Sequence, residues 1–193
     1  MDMTKRNVLA GALIFFVILV SGAFQVRAES DIATLKKAAE QGNAVAQSSL
    51  AAHYVNGIGV QQDDKQGFAW YRKAAEQGNA EAQFIIGDMY VKGKGVPQDV
   101  KQGFSWNLKA AEQGIAEAQR ILGIMYAKGE GVPRNNVKAY AWSSLAAAQG
   151  DEDGKNNSEI IANNFTPDQL RLAKALTAEL QGKTDKKKPA LSK

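Results

Sequence analysis

Cysteine is absent from the 193 residues. That single absence excludes disulfides, thiol nucleophiles, iron–sulfur clusters and zinc ribbons. Histidine occurs once, as His53, so no site can use two imidazoles and any His-dependent triad would rest on that ring. There is no Ser-x-x-Lys and no Gly-x-Ser-x-Gly to mark an activated serine. Strand-like alternation is nowhere sustained. Proline is scarce at 4 residues, while glycine reaches 18. With 45% hydrophobic and 23% charged residues the composition is otherwise that of a globular protein, not of a disordered or collagen-like chain.

The first 28 residues read separately from the rest. Lys5 and Arg6 precede an apolar run from Val8 to Phe24, and Val26-Arg27-Ala28 places small or aliphatic side chains at −3 and −1 of a cleavage site. This is the pattern of a secretory signal peptide over 1–28, cleaved near Ala28, and it implies export to the periplasm or beyond. A retained single anchor is the alternative, since about 17 apolar residues sit at the lower limit for spanning a bilayer. Loss of Lys5, Arg6 and Arg27 with Asp2 lowers the net charge from +4 to +2. The end of the chain, 183–193, carries five lysines against Asp185, a net +4, which leaves −2 for the body between. The pI of 9.2 therefore reports the two ends. It does not point to a nucleic-acid-binding body, which would carry its positive charge on the fold. The tail reads as a disordered basic segment able to make weak contact with an anionic envelope surface, at about 1 kcal/mol per lysine.

What the chain has in abundance is repetition. Ala38-Ala39-Glu40-Gln41-Gly42 recurs at 74–78 and 110–114, and returns as Ala146-Ala147-Ala148-Gln149-Gly150, each time 36 residues on. Segments 38–73 and 74–109 share 22 of 36 residues, and 74–109 and 110–145 share 19 of 36. Each unit reads as two helices. Ala82, Ile86 and Tyr90 form one helical stripe, Gly93-Lys94-Gly95-Val96-Pro97 stops it, and Asp99 is placed to cap the next helix. Trp70, Trp106 and Trp142 occur once per unit, with alanine pairs for the aromatics to pack on. One such pair cannot bury its apolar face alone, so stacked neighbours must share a core. After Gly150 the pattern fails. Thr166-Pro167-Asp168-Gln169 then starts a helix with an apolar stripe of Leu170, Ala173, Leu176 and Leu180, so 151–182 reads as a capping helical hairpin.

The unit A-x-A-Q-x-x-(I/L)-G-x-M-Y-x-x-G-x-G-V-P-x-(D/N), followed by Trp and A-A-E-Q-G, resembles the Sel-1-like repeat (SLR), a relative of the tetratricopeptide repeat. The resemblance covers 38–150. It implies an all-α, right-handed α-solenoid of helix-turn-helix repeats across 29–182, with a concave surface that binds proteins. It also implies roles as exported scaffolds, adaptors or regulators. Gly67 and Gly103 depart from the family's usual Ala mid-helix, an expected cost of about 1 kcal/mol each in helix propensity. A Cys-rich branch of the family is linked to β-lactam binding and hydrolysis, and this chain lacks the cysteines that mark it.

The remaining motifs read as structural. The Gly-x-Gly loops at 57–59, 93–95 and 129–131 follow helices rather than strands and lack the third glycine of a dinucleotide-binding turn. Glu40, Glu76 and Glu112 follow the helix-end pattern. Asp63, Asp99 and Asn135 read as caps, and the asparagine argues against a metal site there. His53 holds the slot of Met89 and Met125. No catalytic, cofactor-binding or metal-binding residue is expected. Where the repeats differ on their first helices, at Phe84, Asp88, Lys92, Arg120 and Ile124, a protein partner could be read. The expectation is a non-catalytic exported adaptor or regulator with no nucleic-acid partner. The competing one is an envelope-associated hydrolase or ligand binder.

Overall fold

A computed structural model describes residues 31–187. The expected leader, 1–28, and the last tail residues, 188–193, lie outside the described residues. Nine helices and no strand occur among the described residues. Helix α1 occupies 31–40. It is followed by α2 (Ala44–Asn56), α3 (Asp64–Glu76), α4 (Ala80–Lys92), α5 (Val100–Glu112), α6 (Ala116–Lys128), α7 (Asn136–Ala148), α8 (Glu152–Ala162) and α9 (Pro167–Lys187). The even-numbered α2, α4 and α6 open each unit, and α3, α5 and α7 close it. Neighbouring helices pack in chain order from α2 to α8, the arrangement of an α-solenoid.

The stops and starts are local chemistry. Asp63 accepts from the N–H groups of Lys65 and Gln66, Asp99 from those of Lys101 and Gln102, and Asn135 from that of Lys138, so all three are caps as expected. Asn43 and Asn79 cap α2 and α4 in the same way. Ile115, at the equivalent position before α6, offers no side-chain cap. Gly93 takes φ +69° at the end of α4 and turns the chain out of the helix. The second glycine of the loop serves a different purpose. A Cβ on Gly95 would collide with the Asp64 carbonyl at the start of α3, and one on Gly131 would lie 2.6 Å from the Val100 carbonyl at the start of α5. Each Gly-x-Gly loop therefore rests against the preceding unit.

Alanine makes the helix contacts close. Ala74, Ala75, Ala110 and Ala111 are at most 1% exposed. Three clusters run along the rod. Ala39, Ala46 and Leu50 form the first; Phe68, Tyr71, Ile86 and Met89 belong to the second; Leu122, Met125, Tyr126, Trp142 and Leu145 belong to the third. The phenylalanine near the start of α3 and of α5 meets the tyrosine near the end of the first helix of the next unit, edge to face, at 5.2 Å for Phe68–Tyr90 and 5.4 Å for Phe104–Tyr126.

The mid-helix glycines correct the propensity argument. A Cβ on Gly103 would lie 2.5 Å from Val91 Cγ2 and 2.9 Å from the Gly87 carbonyl, and one on Gly67 would collide with Val55 Cγ2. In the third unit Ala139 stands at this position and Ala127 replaces the valine, so the pair is Gly/Val, Gly/Val and then Ala/Ala. Close packing, not helix propensity, selects these residues.

The C-terminal end also differs from expectation. Both helices read from 151–182 are present, and each packs on α7. Helix α8 continues the stack against α7, whereas α9 packs mainly on α7 and reaches α5. Ala173 is fully buried, Leu170, Leu176 and Leu180 are half-buried, and the stripe continues to the buried Thr184. Residues 183–187, read as the start of a disordered tail, are helical because this stripe runs on past 182. Phe165 anchors the corner against Tyr140 at 5.9 Å.

Candidate partner-binding surface

The solenoid offers two faces, one built from the first helices and one from the second. A ladder of glutamines fixes their relation. The Gln47 amide donates to the Ala39 carbonyl (3.0 Å), and Gln77 donates to Gln47 Oε1 (2.7 Å). The same two bonds recur as Gln83 to Ala75 with Gln113 to Gln83, and as Gln119 to Ala111 with Gln149 to Gln119. Gln47, Gln83 and Gln119 are buried, so each would cost heavily without these partners. Every unit is thereby locked in one register to the next. The recurrence of Ala-x-Ala-Gln and Glu-Gln-Gly was the signal for it.

On the first-helix face, the five sequence-derived residues divide into two sets. Phe84 is half-buried and packs on the third core cluster. Arg120, at the equivalent position one unit on, pairs with Asp151, the cap of α8, at 3.2 Å. These two residues hold neighbouring units together. Asp88 and Lys92 pair with each other at 2.8 Å across one helical turn with both side chains largely exposed. Such a pair contributes little to stability and is free to exchange partners. Ile124, the equivalent of Asp88 on α6, is half-buried. His53 is half-buried as expected, and its Nδ1–H donates to the Ile58 carbonyl at 2.6 Å, tying the first loop down.

The second-helix face was not singled out from sequence. Lys73 lies over the Trp70 ring at 3.9 Å and Lys109 over Trp106 at 3.8 Å. Trp142 is 3% exposed because α9 covers it. The recurring Trp-x-x-Lys, which becomes Trp142-x-x-Leu145 under α9, was the available signal. Between α9 and the solenoid lies a cleft of about 320 Å³, lined by Trp142, Leu180, Thr184, Glu112 and lysines of α9. Lys187 closes on Glu112 at 2.6 Å. Glu76 is likewise engaged, by Arg72 at 2.8 Å. The carboxylates of Glu76 and Glu179 raise the pKa of Arg72 and Lys183, and burial raises those of Tyr71 and Tyr126. No cluster of three or more potential metal ligands occurs among the described residues. Among them, too, no helix is long and apolar enough to cross a membrane.

The Sel1 repeat profile matches four times, over residues 35–43, 44–79, 80–115 and 116–151. The chain belongs to the Sel1 repeat family. The last three matches start at the first helices α2, α4 and α6, a different phase of the same 36-residue period. Among solved structures, a protective antigen of uropathogenic Escherichia coli strains displaying an SLR fold is similar. It has 35% identity and a TM-score of 0.71 over 84% of this chain. This chain spans 36% of that antigen's length. A Sel1 repeat protein from Oxalobacter formigenes is 42% identical, with a TM-score of 0.63, over 67% of this chain and 97% of that one. No curated protein matches. Sel1 repeat proteins generally serve as protein-interaction scaffolds.

Proposed function

We propose that this Sel1 repeat protein is a non-catalytic adaptor or regulator, exported to the periplasm or beyond, that holds a protein partner on a face of its solenoid. The observation that carries the reading is the division of labour between positions. Repeated residues build the caps, the alanine contacts and the glutamine ladder, while exposed positions such as Asp88 and Lys92 vary between units. The signal-like pattern of 1–28 supports export. The lysines of the tail would add weak attraction to an anionic envelope surface. No acid, base and nucleophile set recurs or converges in the units, which favours binding over an envelope hydrolase.

The test is crosslinking capture from the envelope fraction by the full chain. Wild type is compared with Asp88→Arg/Lys92→Glu, a double variant chosen because neither residue supports the core. Capture of a defined partner by wild type supports the reading, and its loss in the variant places the contact on the first-helix face. Failure of wild type to capture any protein, or hydrolysis of nitrocefin or muropeptides, would overturn it. Mass spectrometry of the native N-terminus decides export, which fails if residues 1–28 are intact in a cytoplasmic fraction.

A further inference from the structure

Three tryptophans stand at equivalent places on the second helices, and the chain has already covered one of them with a helix of its own. Helix α9 packs on the cluster that holds Trp142 through Leu180, with Thr184 beside it, on a stripe that also buries Ala173. Under α9 the sequence of the second helix changes. Leu145 replaces the lysine of Lys73 and Lys109, and Val137 replaces Lys65 and Lys101. Among the described residues α9 packs on α7 and reaches α5, and at Trp70 and Trp106, both half-buried, the lysines remain as lids on the rings. The covered and uncovered places are continuous, since α9 runs from α7 to the end of α5, where Lys187 meets Glu112.

Resting on the adaptor reading above, we propose that the surface over Trp70 and Trp106 docks an acidic amphipathic helix of a partner protein, as α9 docks over Trp142. The chemistry is specific about the ligand. Lys73 and Lys109 face indole rings rather than carboxylates, while the nearby Glu76 and Glu112 are engaged by Arg72 and Lys187. A cation over a half-exposed ring is held only weakly, so a carboxylate on the incoming helix competes for the lysine. Drawing the ammonium aside uncovers the half-buried indole for an aliphatic side chain of the same helix. Neighbouring second helices stand roughly one helix diameter, about 10 Å, apart. A helix crossing α3 and α5 would therefore present its two carboxylates about seven residues apart, at 1.5 Å of rise per residue.

The probe is a synthetic helix of 21 residues, the length of α9. It keeps the Ala/Leu/Leu/Thr stripe of 173, 176, 180 and 184, and carries glutamates seven residues apart on its flanks. Fluorescence anisotropy is read with the full chain at low and high salt. Saturable binding is expected, weakened about tenfold or more by Lys73→Glu/Lys109→Glu and by salt. Lys155→Glu on the exposed side of α8 should leave it unchanged. A peptide of equal charge with its stripe scrambled should bind about tenfold more weakly. The proposal is overturned if the probe does not bind, if charge reversal leaves its affinity unchanged, or if the scrambled peptide or anionic vesicles bind as well as the probe. An envelope partner still captured by Lys73→Glu/Lys109→Glu would refute this surface while leaving the adaptor reading standing. Failure of wild type to capture any partner would sink the adaptor reading itself.

Discussion

Gln149 reaches back thirty residues to donate its amide to Gln119 Oε1 at 2.8 Å, and Gln119 in turn donates to the Ala111 carbonyl at 3.1 Å. Gln119 is 1% exposed, whereas Gln149 lies at the surface. The two ends of one bond should therefore respond differently to removal. Gln119→Met keeps the volume but takes from the buried Ala111 carbonyl one of its two donors, the Gly114 N–H remaining at 3.0 Å, and should lower the unfolding free energy by about 0.5–1.5 kcal/mol. Gln149→Met leaves the buried Gln119 Oε1 without a donor and should cost more, about 1–3 kcal/mol. Urea denaturation of both variants checks this. Equal losses would mean that leaving Gln119 Oε1 without a donor costs no more than removing one of two donors from the Ala111 carbonyl.

The Gly103–Val91 contact gives a second test. Alanine is the better helix former by about 1 kcal/mol, so on propensity alone Gly103→Ala should stabilise. Packing reverses the sign, because the new Cβ would sit 2.5 Å from Val91 Cγ2 and close to the Gly87 carbonyl. Gly103→Ala should cost about 1–3 kcal/mol. Adding Val91→Ala, which recreates the Ala139/Ala127 pair of the third unit, should recover most of that loss. A double-mutant cycle with no coupling between the two sites would show that the helices shift freely.

These residues also show where reading the sequence succeeded and where it stopped. The 36-residue period, the helix pairs and the caps at Asp63, Asp99 and Asn135 were legible because each depends on neighbours in the chain. The pairings between helices were not. Gly67 read as a fault in its helix because Val55, the side chain that excludes a Cβ, lies across the interface. Phe84 and Arg120 read as variable surface because their partners, the third core cluster and Asp151, belong to the next unit. Helix α9 was legible as an amphipathic helix, but its stripe alone did not say that α7, rather than α8, would receive it.

Alkaline pH should loosen the fold through two tyrosines. Tyr126 is 7% exposed and Tyr71 6%. Burial raises the pKa of both above the ordinary value of 10.0, with Glu81 adding to the effect at Tyr71. The unfolded chain would ionise them first and release its protons at lower pH. Their contribution is therefore fully present below about pH 10 and is lost as pH rises through the folded values. Lysines titrate in the same window, so the informative comparison is wild type with Tyr126→Phe. The variant should lose less stability between pH 9 and 11, as read from urea midpoints. Parallel pH profiles would remove Tyr126 from the account.

What holds α9 in place can be decided by setting its apolar stripe against its ion pair. Leu180 packs on the cluster that contains Trp142, while the Lys187–Glu112 pair is about half exposed at both side chains. Removing a partly buried leucine and introducing a charge there should cost about 1–3 kcal/mol. An exposed ion pair contributes about 0–1 kcal/mol. Leu180→Asp should therefore release α9 and uncover the Trp142 indole, shifting the tryptophan emission to longer wavelength. Lys187→Ala should leave the emission unchanged and the urea midpoint nearly so. If Lys187→Ala produced the same red shift, the clasp at Glu112 rather than the stripe would hold the helix, and α9 would be a poor guide to what the rest of that face can bind.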